Sequence, residues 1–191
     1  MILSKLLLDW KSLKSLSIKG VYGIHKLIYS LFPGEKRSFL FYDRPECRFG
    51  KEILILSEMQ PLLPPVGILQ SKVIPDSFLE NSSYAFQIML NAVKRNSEGK
   101  LVPIIGKEEA AAWFLSKQNS WGFEVIQDSF EVFETGVQIF EKGETKITQS
   151  KASFRGVLRV TDRSVFKQSF EQGIGRGKAF GFGLLQLIKT N

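Results

Sequence analysis

Residues 1–42 decide the fold, and they read MILSKLLLDW KSLKSLSIKG VYGIHKLIYS LFPGEKRSFL FY. Residues 1–9 contain an apolar run typical of a strand, and a connection rich in Lys and Ser follows it. Residues 21–32 repeat apolar side chains at helical spacing, and the Pro-Gly pair at 33–34 predicts the end of that helix. The apolar run at 39–42 predicts the next strand, so the chain opens with the order strand, helix, strand.

The rest of the chain continues with short strands and two more helices. Residues 75–83 are polar and turn-rich, so we expect an amino-terminal domain at 1–78 and a carboxy-terminal domain at 79–191. The predicted strands lie at 53–56, 71–74, 84–93, 101–105, near 123–133, and at 137–140, 154–160 and 183–189, and the predicted helices lie at 107–118 and 161–171. This pattern favours an α+β fold with two tandem ferredoxin-like, or RNA-recognition-like, domains.

The composition limits the classes of protein to which the chain can belong. It has 191 residues, of which 43% are hydrophobic and 24% are charged, as is usual for a soluble globular protein. No apolar stretch approaches the roughly 20 residues that span a bilayer, so we expect no membrane partner. The first residues lack the arrangement of a signal peptide, in which basic residues precede the apolar run, and we therefore expect a cytoplasmic protein.

His25 and Cys47 are the only histidine and the only cysteine of the chain. An internal disulfide is therefore impossible, and the usual zinc sites cannot be built. No cluster of Asp and Glu suggests a magnesium site either. We expect neither a metal nor a small-molecule cofactor.

The positive charge of the chain is concentrated at its carboxy-terminal end. The formal net charge is +7, and residues 142–191 alone contain ten basic and three acidic side chains, which accounts for the whole excess. A basic segment of this kind favours a polyanion such as nucleic acid, because phosphates attract it and counterions are released on binding. The alternative is a solvated basic face that serves solubility.

The helix predicted at residues 21–32 carries the histidine. At about 100° per residue, one arc of this helix is apolar and is expected to face the core. That arc contains Val21, Ile24, Ile28, Leu31 and Phe32. Tyr22, Lys26 and Tyr29 lie on the opposite side, and His25 lies at the margin, one turn from each tyrosine. One helix face therefore presents a phenol, an imidazole and an ammonium group.

This set of groups suits RNA cleavage by internal transesterification. The reaction needs a base for the 2′-hydroxyl, an acid for the leaving 5′-oxygen, and cationic stabilisation of the phosphorane. His25 can act as acid or base near neutral pH, Tyr22 can orient the nucleophile or the phosphate, and Lys26 can stabilise negative charge. No metal is required, because the substrate supplies the attacking hydroxyl. The alternative is a structural histidine between boundary tyrosines.

The most distinctive stretch is GIGRGKAFGFGLL at residues 173–185. Glycines allow backbone N–H groups to approach a phosphate closely and to form an anion nest, and Arg176 and Lys178 add charge. Dinucleotide fingerprints run strand, glycines, helix, whereas here a helix precedes the glycines and a strand follows. The basic surroundings favour phosphate binding, and a mobile connection is the alternative.

Together with four other stretches, this tail resembles the CasE family, the endoribonucleases that process CRISPR RNA in type I-E systems. The four stretches are Tyr22-Gly-Ile-His25 with 31–33 and 37–41, then 86–95 with 99–103, then Trp113 with 121–123, and finally 154–162. They occur in the same order as in the family and span nearly the whole chain.

The resemblance implies two ferredoxin-like domains that bind the stem-loop of the CRISPR repeat RNA and cleave it at the 3′ base of the stem. The implied products carry 5′-hydroxyl and 2′,3′-cyclic phosphate ends, no metal takes part, and the enzyme keeps its product within Cascade, whose other subunits are partners. By position, His25 matches the catalytic histidine and Tyr22 the active-site tyrosine. Lys26 stands where an Arg often follows the histidine, so bidentate phosphate geometry is lost there.

Further residues are expected to bind RNA on the strength of the resemblance. In the glycine-rich loop they are Gly173, Gly175, Arg176, Gly177 and Lys178. In a basic hairpin expected at 142–159, which would enter the groove of the stem, they are Lys146, Lys151, Arg155 and Arg159. Two other functions stay open: a non-catalytic RNA-binding subunit of a ribonucleoprotein, and a nucleotide-binding enzyme that uses the glycine loop, against which the order of helix and strand speaks.

Overall fold

The structure is a computed structural model that describes residues 1–34, 37–45, 48–142 and 145–190; Cys47 lies outside the described residues. Its first part forms one antiparallel sheet and two helices. These elements are β1 (Ile2–Asp9), α1 (Trp10–Ser15), α2 (Gly20–Ser30), β2 (Phe39–Asp43), β3 (Gly50–Ser57) and β4 (Ile68–Val73). The strand order is β2-β3-β1-β4, and the predicted strand, helix, strand opening is confirmed.

The sequence did not predict one helix of this first part, and a complete ferredoxin-like unit would have a second helix between β3 and β4. The Lys/Ser connection after β1 contains the short helix α1, which begins where Asp9 Oδ1 accepts a hydrogen bond from the Ser12 amide at 2.7 Å. Residues 58–67, between β3 and β4, form no second helix. Pro61, Pro64 and Pro65 explain this, because each lacks an N–H donor and favours an extended residue before it.

The second part forms another antiparallel sheet and two helices. One helix precedes the long central hairpin of this sheet in the sequence, and the other follows it. Its elements are β5 (Ser83–Leu90), α3 (Lys107–Lys117), β8 (Phe123–Val125), β9 (Glu131–Lys142), β10 (Thr145–Val160), α4 (Arg163–Gln172) and β11 (Gln186–Lys189), with a separate small hairpin of β6 (Val93–Arg95) and β7 (Leu101–Pro103). The strand order is β11-β5-β10-β8, and β9 also pairs with β10.

Both sheets have the strand order of a ferredoxin-like unit. In each sheet the first and third strands lie at the centre, and the second and fourth lie outside them. In the second sheet these four strands are β5, β8, β10 and β11 in chain order. The predicted α+β fold with two tandem ferredoxin-like units is therefore confirmed. The segment that joins β4 to β5 contains residue 78, and the proposed domain boundary there stays a prediction.

The hairpin of β9 and β10 is longer than its sequence pattern predicts. The sequence predicts strands at 137–140 and 154–160, but β10 alone has 16 residues and pairs with β9 from Thr145 to Arg155. Residues 145–151 are mostly polar, so no hydrophobic period marks them as strand. Backbone hydrogen bonds to β9 stabilise these residues as strand, although their side chains show no strand pattern.

The core consists of two buried clusters. In the first part, Ile24 and Ile28 of α2 pack on Leu6, Ile53 and Ile55. The second cluster is rich in aromatic rings, and its fully buried members include Phe114, Phe123, Phe154 and Phe166. It also contains Leu40, Tyr42 and Leu56 from the other face of the first sheet, so the two units share one packed boundary.

Candidate active site

His25 lies where helix α2 meets the glycine-rich loop. Its Nδ1 atom is 2.7 Å from the carbonyl oxygen of Ala179, a residue 154 positions later in the chain. A carbonyl oxygen can only accept, so the hydrogen bond requires that Nδ1 carries the proton and donates it. In the neutral ring, the lone pair of Nε2 is then the site that can take a proton.

Three aromatic rings surround the imidazole. The ring of Phe180 stacks on it at 4.9 Å between centroids, Tyr29 lies at 4.3 Å with a tilt of 44°, and Tyr22 lies at 5.5 Å and nearly parallel. The sequence predicts Tyr29 opposite the core, but its ring also meets Phe39 edge-on and packs against the first cluster. The arc of the helix that contacts the core is wider than predicted, because Tyr29 packs on Phe39 of β2.

Tyr22 and Lys26 border an open groove of about 850 Å³ beside His25. The Lys26 ammonium is exposed and lies 5.1 Å from the centroid of the Tyr22 ring. Lys19 and Ile139 of β9 line the same groove. The groove therefore presents a phenol and two ammonium groups next to the helix position of the imidazole, and such groups can serve proton transfer and charge stabilisation at a phosphate.

The glycines of the loop are needed for its own folding. A Cβ on Gly173 would lie 2.7 Å from the Leu40 side chain, one on Gly177 would lie 2.9 Å from the Phe182 ring, and one on Gly183 would lie 2.4 Å from the carbonyl of Ile174. All three residues have positive φ, which L side chains rarely adopt. Close packing thus accounts for these glycines, and phosphate binding by the loop backbone stays a prediction.

The two charged residues of the loop differ in their surroundings. Arg176 and Gly175 are exposed, so both can reach a polyanion. Lys178 is half-buried, and its Nζ donates a hydrogen bond of 2.8 Å to the carbonyl of Gln172 at the end of α4. Burial lowers the pKa of Lys178, and the nearby charge of Arg37 lowers it further. Arg176 is therefore the better placed of the two for RNA contact.

Acidic neighbours engage three of the four basic hairpin residues. Lys151 pairs with Glu134 at 2.7 Å, Arg155 with Glu131 at 2.7 Å, and Arg159 with Glu124 at 2.9 Å. These acids belong to residues 124–134, outside the basic segment, so a count along the chain could not reveal the pairing. Lys146 is exposed, and the part of the chain that the structure describes contains no ion pair with it.

Ala179 and Phe180 are part of the site, and the sequence did not single them out. The signal was present, because Phe180 is one of two aromatic residues among the glycines and charged residues of this loop. Among the described residues, no three side chains of His, Cys, Asp or Glu lie together in a group that could hold a metal ion. Over the same residues, every helix is too short or too polar to cross a bilayer.

Comparisons with known proteins agree on one family. A family model described as CRISPR associated protein matches residues 1–189. The CRISPR system Cascade subunit CasE of Escherichia coli K12 is 25% identical over 186 residues, which cover 88% of this chain and 92% of that protein. The CRISPR-associated endoribonuclease Cse3 of Thermus thermophilus is 27% identical over 172 residues, which cover 72% and 81%. A solved structure of Cse3 bound to a 19-nucleotide RNA superimposes with a TM-score of 0.83 at 21% identity, covering 99% of this chain and 100% of that one.

Proposed function

Because the chain belongs to the CRISPR-associated protein family whose model spans residues 1–189, we propose that it is a metal-independent endoribonuclease of the CasE type. It binds the stem-loop of the CRISPR repeat RNA, cuts precursor CRISPR RNA at the 3′ base of the stem, and keeps the product within Cascade. The relatives named as a Cascade subunit and as an endoribonuclease support this assignment. The observation that carries it is the His25 ring, whose Nδ1 is engaged by Ala179 beside a groove lined by Tyr22 and Lys26.

In the proposed reaction, the 2′-oxygen of the nucleotide before the scissile bond forms a bond to phosphorus as the bond to the 5′-oxygen breaks. The 2′-hydroxyl loses its proton to a base, and the leaving 5′-oxygen receives one from an acid. His25 Nε2 carries out one of these two proton transfers. Tyr22 orients the phosphate or moves the second proton, and Lys26 stabilises the charge of the phosphorane.

The proposed RNA-binding surface combines the β9–β10 hairpin with the glycine-rich loop. The cross-strand ion pairs of Arg155 and Arg159 lie on exposed surface and are weak, so both side chains can exchange their carboxylate partners for phosphates. Lys151, whose side chain is 25% exposed in its pair with Glu134, is the least accessible of the three candidates. Residues 1–78 then form the domain that carries the catalytic helix, and residues 79–191 form the domain that carries the hairpin and loop. The protein acts in the cytoplasm, where precursor transcripts are made and processed.

Cleavage in the presence of a chelator tests this function. The purified protein is incubated in EDTA with RNA of the CRISPR repeat that neighbours its gene. It is expected to cut this RNA once, at the 3′ base of the stem, and to produce 5′-hydroxyl and 2′,3′-cyclic phosphate ends. Each product end is identified by whether a kinase can phosphorylate it or a ligase can join it, before and after the cyclic phosphate is removed. Binding without cleavage would favour a non-catalytic RNA-binding subunit, and cleavage that EDTA abolishes would exclude the proposed mechanism.

Salt dependence tests the RNA-binding surface. Replacing Lys146 or Arg176 with alanine is expected to reduce the slope of log affinity against log salt by about one for each phosphate that the variant no longer neutralises. Lys100→Ala is the matched control, because that exposed ammonium pairs with Glu98 on the turn of the small β6–β7 hairpin. Equal slopes for all three variants and the unmodified protein would exclude Lys146 and Arg176 from phosphate contact.

A further inference from the structure

We propose that Ala179 and Phe180 are positioning residues for His25: the carbonyl of Ala179 selects the tautomer of the imidazole, and the ring of Phe180 sets its plane. The proposal rests on the proposed function, since it concerns the same histidine. It assigns to the glycine-rich loop a task in catalysis that does not involve contact with RNA.

The first part of the proposal follows from the hydrogen bond at Nδ1. An imidazole in water exchanges between two neutral tautomers, and only the form protonated at Nδ1 leaves Nε2 able to accept a proton. The contact of 2.7 Å between Nδ1 and the Ala179 carbonyl oxygen is available to that form alone. The carbonyl also remains an acceptor when both ring nitrogens are protonated, so His25 keeps its orientation through a full cycle of proton gain and loss.

The second part follows from how Phe180 is held. Its ring stacks on the imidazole at 4.9 Å and packs on Phe140 of β9 at 4.3 Å. Its carbonyl accepts a hydrogen bond of 3.2 Å from Gln138 Nε2, also on β9. The turn that presents residues 178–180 is flanked by Gly177 and Gly181, with φ of 79° and 89°.

These contacts attach the loop to the hairpin on one side and to the catalytic helix on the other. A ring packed against both Phe180 and Tyr29 has little freedom to rotate about its side-chain bonds. A misplacement of about 1 Å at a reacting group can cost on the order of a hundredfold in rate. Two loop residues of the second unit therefore orient His25, which lies on a helix of the first unit.

Nuclear magnetic resonance can detect the tautomer directly, because His25 is the only histidine in the chain. With ¹⁵N-labelled histidine, the full-length protein is expected to show one neutral form, protonated at Nδ1. Phe180→Leu removes the ring but keeps an apolar side chain, and Gln138→Met removes the hydrogen bond to the Phe180 carbonyl at similar length. Both variants are expected to show a mixture of tautomers and a single-turnover cleavage rate lower by about ten- to a hundredfold. Because both residues lie in the elements that form the proposed RNA-binding surface, stem-loop affinity is measured for each variant, and rates are compared at saturating protein so that a change in affinity does not enter the rate.

Phe49→Leu is the matched control. It makes the same substitution at an exposed phenylalanine outside the hairpin and the glycine-rich loop, and no aromatic contact joins its ring to His25 among the described residues. Its tautomer and rate should equal those of the unmodified protein. An unchanged tautomer in both test variants would overturn the proposal, and so would a changed tautomer with an unchanged rate. The tautomer is measured without RNA, so a failure of the proposed function, such as cleavage that persists without His25, is seen separately.

Discussion

Replacing His25 with alanine is expected to reduce the single-turnover rate of repeat cleavage by about 10²- to 10⁴-fold, the range that general acid–base catalysis by one side chain contributes. The reason is that Nε2 supplies one of the two proton transfers, and no second histidine can replace it. Affinity for the stem-loop should stay nearly the same, because the proposed binding groups lie on the hairpin and the glycine-rich loop. Rates measured with excess protein in EDTA, and binding measured on the same RNA, check both parts.

His25→Asn is the control that separates chemistry from packing. The asparagine amide can donate to the carbonyl of Ala179 in place of Nδ1, but it has no basic nitrogen at the position of Nε2. It should retain the loop contact and still lose cleavage to the same extent as the alanine variant. If either variant cuts at a rate comparable with that of the unmodified protein, His25 is not the catalytic residue.

Local patterns were enough to predict most of the fold. Strand β1, helix α2 and helix α4 follow from apolar spacing and from stop or cap residues, and the Asp162 side chain caps α4 by accepting a hydrogen bond from the Val165 amide. Helix α1 was not predicted because it has six residues and buries only Leu13, which leaves almost no amphipathic period. The ends of β9 and β10 were not predicted because partner strands, and not side chains, specify them.

The candidate site was predictable only in part, for a related reason. Tyr22, His25 and Lys26 share one helix, so their proximity follows from helical geometry. The contact of His25 with Ala179 joins positions 154 residues apart, and no periodic pattern encodes it. The sequence favours a glycine backbone open to phosphate, whereas in the structure Gly173 and Gly177 lie against Leu40 and Phe182. Long-range packing, which decides both contacts, does not follow from local spacing.

A single 2′-deoxy nucleotide, placed just before the scissile phosphate, is expected to abolish cleavage by the unmodified protein. The substrate then lacks the attacking oxygen, and nothing in a metal-independent mechanism replaces it, so this loss should exceed that of the His25 variants. The modified RNA should still bind, since one missing hydroxyl leaves the stem and its phosphates intact. The matched control carries the deoxy nucleotide one position further upstream, where cutting should proceed at the normal rate. Normal cutting of the first substrate would mean that the nucleophile is water, and the site would then have to activate that water with groups other than the substrate's own hydroxyl.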